Sequence, residues 1–125
     1  MFGKNMQRKS LQMSKMEQGG IALIDFSYSD LKRSKFRPVL VISNSGYNLT
    51  SLDVVVLRIT SKPKRGWAVK ITNKDVESGF LEVESYVKVD SIFTVERKMV
   101  AKVVARLKDE KVDEVKMKLG ELFEV

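Results

Sequence analysis

The chain has 125 residues, 43% hydrophobic and 31% charged, which fits one domain around one hydrophobic core. It holds no cysteine and no histidine, which excludes a disulfide framework, a thiolate zinc site, imidazole metal ligands and Ser–His or Cys–His nucleophile pairs. A formal net charge of +7 points to a polyanionic partner, nucleic acid ahead of an anionic membrane.

Residues 1–18, "MFGKNMQRKSLQMSKMEQ", read as a basic arm, loose or briefly helical. They lack the apolar centre of a secretion signal, and no stretch approaches the length of a membrane span, so the chain reads as cytoplasmic. Gly19 and Gly20 break the chain before a strand, "IALIDFSYS", whose core face should be Ala22, Ile24 and Phe26. The polar loop "SDLKRSK" leads into "PVLVIS" (38–43), a continuous apolar strand covered on both faces. Pro38 suits its first position, where a missing N–H costs no ladder bond.

"NSGYNLTS" (44–51) has turn chemistry throughout. "DVVVLRIT" (53–60) is a β-branched strand, "SKPKRG" (61–66) a second cationic loop, and "WAVKIT" (67–72) a half-buried strand. "NKDVESG" reads as a turn, residues 80–95 as one or two strands, and "VAKVVARL" (100–107) as the last strand. From Asp109 the period changes: Val112, Val115, Leu119, Leu122 and Phe123 recur at helical spacing, behind acids that favour the helix dipole. Gly120 weakens that helix without ending it. Short strands with regular turns and one final helix predict a mainly β protein, an antiparallel barrel with a C-terminal α-helix.

Three features could carry chemistry. Lys32, Arg33, Lys35 and Arg37 crowd the entrance of the 38–43 strand, and an Arg fixed there can hold a phosphate through two parallel N–H bonds. A guanidinium paired with an acid is the competing reading. Thr60 and Ser61 end a strand beside Lys62, Lys64 and Arg65, where hydroxyls orient a phosphate or cap a turn. In "YVKVD", alternation sets Tyr86, Lys88 and Asp90 on one face, an acid/base pair or an ordinary exposed surface. Trp67 and Phe36 flank the basic loops, where bases of a single strand could stack. Trp67 equally suits a core. No Gly-rich phosphate loop precedes a helix and no carboxylate cluster suits two metals, so a nuclease here would work without metal or cofactor.

The runs "GGIALIDFSYSDLKRSKFRPVLVISNSGYNLTSLDVVVLRITSK" and "SYVKVDSIFTVERKMVAKVVARLKDEKVDEV", taken in order, resemble the MazF/PemK (Kid-like) toxin endoribonucleases of type II toxin–antitoxin systems. The resemblance covers residues 19–123 and leaves 1–18 as an extra arm before a toxin-like domain at 19–125. It implies a small SH3-like antiparallel barrel, usually a homodimer, held inactive by an acidic cognate antitoxin. It also implies metal-independent cleavage of single-stranded RNA, in which the ribose 2′-OH attacks the adjacent phosphate and leaves a 2′,3′-cyclic phosphate and a 5′-OH. Carried onto this chain, the Arg before Pro falls on Arg37, to stabilise charge on the phosphate, and the strand-end Thr falls on Thr60. An Arg and Asp two apart in some members fall on Lys88 and Asp90, with Asp90 the candidate base. Lys32, Arg33, Lys35, Ser61, Lys62, Lys64, Arg65, Trp67 and Lys88 would bind RNA. The chain departs from the family pattern at Gly20, Phe93 and Lys108. The alternative is a barrel of the same architecture that binds nucleic acid, or grips DNA gyrase as CcdB-like toxins do, without catalysis.

Overall fold

The computed structural model describes residues 16–25, 36–64 and 66–124. Seven strands form one sheet in the order β4-β6-β3-β2-β1-β7-β5, and every pairing is antiparallel. They are β1 (Gly20–Asp25), β2 (Phe36–Val41), β3 (Asp53–Thr60), β4 (Ala68–Ile71), β5 (Val76–Gly79), β6 (Ser85–Glu96) and β7 (Val100–Leu107). Among the described residues β4 and β5 do not pair, so the barrel expected from sequence is a curled half-barrel with two edges. Helix α1 (Ser45–Thr50) joins β2 to β3, and α2 (Asp109–Leu122) ends the chain.

Period-2 alternation sorts the strand residues into two apolar clusters, one on each face. On the first face Ile21, Leu40, Leu57, Ile59, Val69, Ile71, Val87, Val89, Ala105 and Leu107 are buried with Val112 and Val115 of α2, so the helix covers it. On the second, Ala22, Ile24, Val39, Val41, Val54, Val56 and Val95 pack with Met16. β1 therefore buries both faces, where the sequence predicts one: Ile21 is as buried as Ala22 and Ile24, because α2 needs an apolar floor. Phe26 lies outside the described residues.

Met16 opens the described chain already packed. Its carbonyl accepts from Asn48 Nδ2, Asn48 also donates to the Ser43 carbonyl at 2.9 Å, and Gln18 Nε2 donates to the Ile42 carbonyl at 2.6 Å. These bonds satisfy polar groups that burial would otherwise leave costly.

Three expected boundaries move. The segment 44–51 is not a turn but contains α1, because the turn-forming Asn44 is also a helix N-cap: its Oδ1 accepts the Tyr47 N–H at 2.8 Å. The expected turn 73–79 is a 3₁₀ turn at Asn73–Asp75, held by a Thr72/Asp75 capping box, followed by β5. β2 starts at Phe36, and its ladder to β3 begins at Val39, one residue past Pro38. Strands 53–60 and 100–107 and the helix from Asp109 stand where the pattern puts them.

Candidate active site

The second face changes character along its strands. One row across the sheet is Val41, Val56 and Phe93, wholly apolar. The next is Ala22, Val39, Arg58, Lys88 and Ala68. Two residues further stand Ile24 and Arg37 on one side, and Thr60, Tyr86 and Lys70 on the other. The β2–β3 ladder stops at Val39 and Arg58, and the same register carried on sets Arg37 opposite Thr60. Fixed strands thus deliver cations to one end of a face that is core at the other.

Arg37, Arg58, Thr60, Ser61, Ser85 and Phe93 line a cleft of about 380 Å³ there, together with the apolar Pro38, Val39, Ile59 and Val83. No acid lines it. Among the described residues, the side chains of Arg37 and Arg58 form no hydrogen bond or ion pair, and both residues are exposed. Other cations are matched: Arg106 meets Glu17, Glu77 and Asp109 at 3.1–3.6 Å, and Lys111 meets Glu114 at 2.8 Å and Asp75 at 3.6 Å, while surface lysines such as Lys102 and Lys116 stand free among the described residues. The Glu114 hydrogen bond, with the nearby Asp75 charge, raises the Lys111 pKa above its ordinary value despite partial burial. Two unpaired guanidiniums facing one acid-free cleft are an arrangement that an anion completes.

Thr60 has a defined hydrogen-bond role. Its Oγ1 accepts the Lys62 N–H at 3.2 Å, which leaves the hydroxyl proton free to donate into the cleft. Ser85 is turned back, donating to the Val83 carbonyl at 3.1 Å.

The other sequence candidates are placed differently. Lys88 and Asp90 form an ion pair at 3.3 Å, with side chains 16% and 39% exposed, and neither lines the cleft. Leu57 faces Ile92 but Arg58 faces Lys88, so β6 carries a bulge over residues 89–91, and the Val89 N–H bonds to the Trp67 carbonyl instead. Asp90 sits at that bulge, still on the same side as Lys88, as the alternation predicts. Lys62 and Lys64 are exposed on the loop after Thr60. Trp67, 41% exposed at φ +64°, is not core, and the Lys118 ammonium of α2 lies 5.1 Å from its ring centre. Lys32, Arg33, Lys35 and Arg65 lie outside the described residues.

Sequence reasoning missed Arg58 and Phe93. The signal for Arg58 was present, since it precedes Thr60 by two and so shares its face. Phe93 needed the bulge to be known.

Among the described residues no three His, Cys, Asp or Glu side chains are grouped to hold a metal, and no helix is long and apolar enough to cross a membrane. Residues 17–123 match the family model described as the PemK-like, MazF-like toxin of type II toxin–antitoxin systems. Solved structures share the fold. An endoribonuclease from a mycobacterial species, in complex with its cognate antitoxin, is 20% identical with a TM-score of 0.68, over 84% of this chain and 91% of that one. A MazE–MazF complex from Deinococcus radiodurans is 22% identical with a TM-score of 0.67, over 87% and 95%. The Mycobacterium tuberculosis toxin MazF-mt6 is 18% identical with a TM-score of 0.66, over 83% and 95%. No curated protein matches the chain by sequence.

Proposed function

Because the chain belongs to the PemK-like, MazF-like toxin family of type II toxin–antitoxin systems, we propose that it is a cytoplasmic endoribonuclease. It would cut single-stranded RNA without metal and be silenced by an acidic cognate antitoxin. The observation that carries the reading is a cleft that no described acid lines, with Arg37 and Arg58 unpaired among the described residues beside the Thr60 hydroxyl. The homodimer implied by the resemblance is part of the same proposal.

In this mechanism a substrate phosphate sits between Arg37 and Thr60. The upstream ribose 2′-oxygen forms a bond to phosphorus, and the bond to the downstream 5′-oxygen breaks. A 2′,3′-cyclic phosphate and a 5′-OH result. Negative charge grows on the non-bridging oxygens as the fifth bond forms, and the Arg37 fork opposes it without reorganising, since β2 fixes its backbone. Thr60 donates one hydrogen bond that fixes the phosphate's orientation. The 2′-OH gives up its proton to water as its oxygen bonds to phosphorus, and the departing 5′-oxygen takes one from water, so Arg37 stays charged throughout. Phe93 offers an apolar surface for a neighbouring base.

Asp90 has a different role in this geometry. It stands outside the cleft and holds the Lys88 ammonium, so it positions a cation instead of taking the 2′-OH proton. Asp90→Asn is expected to lower kcat by about 10-fold or less, where loss of a general base costs about 10²–10⁴-fold. Single-turnover cleavage decides it, and a fall of 10³-fold or more would restore Asp90 as the base.

The function itself is tested with purified, antitoxin-free protein on long single-stranded RNA of varied sequence, beside DNA of equal length and a gyrase supercoiling assay. RNA products alone are expected. Gyrase inhibition without RNA products would support the non-catalytic alternative.

A further inference from the structure

Arg58 is not needed for the chemistry assigned to Arg37 and Thr60, yet it lines the same cleft. It is the lone charge between Asp53 and the end of β3. Its row continues the apolar face of Ala22 and Val39, so a Val would fit the pattern. The chain instead places an exposed guanidinium with no partner among the described residues. Its ladder neighbour Lys88 is cationic too, and the Lys88 charge is already engaged by Asp90 at 3.3 Å. Two neighbouring cations, only one with an acid, leave one net positive charge for a ligand.

Spacing decides which ligand. Arg58 and Thr60 are two residues apart on one strand, about 7 Å, a distance that one nucleotide step of an extended single strand spans. We propose that Arg58, backed by Lys88, grips the phosphate next to the scissile one and so sets the register of the RNA strand on the cleft. This deepens the endoribonuclease reading and rests on it.

The test uses short RNAs carrying the mapped cut site, with the flanking linkage on either side an ordinary phosphodiester or an uncharged methylphosphonate. With wild type, neutralising one of the two flanks is expected to lower kcat/KM roughly 10- to 30-fold, the loss typical of a charge-assisted hydrogen bond. Arg58→Ala and Arg58→Gln lose the same factor on the all-phosphate RNA and nothing further on that methylphosphonate RNA. An equal further loss on both RNAs, or no loss on the native one, overturns the proposal. Anisotropy of a fluorescent RNA gives a readout independent of cutting: the slope of log K against log salt falls by about one for Arg58→Ala. An unchanged slope overturns the proposal even if wild type cuts nothing, whereas absence of cutting with a changed slope defeats only the nuclease reading.

Discussion

Arg37→Ala is expected to lower kcat by roughly 10³-fold, the scale of losing a preorganised donor to a developing oxyanion, while leaving thermal stability unchanged. Arg37 is exposed and unpaired among the described residues, so its removal opens no cavity and orphans no acid. Its loss falls on the transition state, because charge on the phosphate oxygens peaks there and the fork is already aimed. Arg37→Lys should recover only part of the rate: the charge returns, but one ammonium cannot make two parallel bonds. Single-turnover rates on one RNA, beside thermal unfolding of each variant, measure both. A loss of less than about 10-fold with native folding would move the catalytic centre away from Arg37.

Gly79→Ala should be the most damaging single methyl in the described fold. Gly79 has φ +75°, and a Cβ built there would lie 2.1 Å from the Val104 carbonyl oxygen and 2.7 Å from Ala105 Cα. Those are backbone atoms of β7, which cannot swing aside. Backbone strain and overpacking together cost about 2–4 kcal/mol, a fall in Tm on the order of 10 °C for a domain of this size. The least costly escape is to detach β5, which among the described residues pairs only with β7. Gly120→Ala is the control: nothing lies within 4 Å of a Cβ there, and in a helix the change stabilises by up to about 1 kcal/mol. Equal Tm values for the two variants would contradict the close approach of β5 to β7.

The strands that bury apolar side chains were legible because periodicity reports burial directly. "DVVVLRIT" and "VAKVVARL" stand where the pattern puts them, and α2 follows from Val112 and Val115 at helical spacing. β5 was hidden because an edge strand needs little apolar surface: Ser78 and Gly79 pair with β7 through the backbone, and Glu77 adds an ion pair to Arg106. α1 was hidden because Asn44 serves a turn and a helix cap equally well. The site was half legible. Arg37, Thr60 and Ser61 converge because β2 and β3 run antiparallel in one register, and both residue chemistry and the family resemblance pointed to them. That the Lys88–Asp90 pair stands outside the cleft was illegible, since the bulge beside it depends on which partner residues a strand meets. Arg58 was visible by its two-residue spacing from Thr60, but only the unpaired state of its guanidinium gives it weight.

The most direct test of the central claim is cleavage of a long, varied single-stranded RNA in excess EDTA, with both new ends mapped. The account predicts cutting at a recurrent short motif, undiminished by EDTA, leaving 2′,3′-cyclic phosphate and 5′-OH ends, and absent from Arg37→Ala. Products bearing 5′-phosphate ends, or cutting that EDTA abolishes, would contradict it.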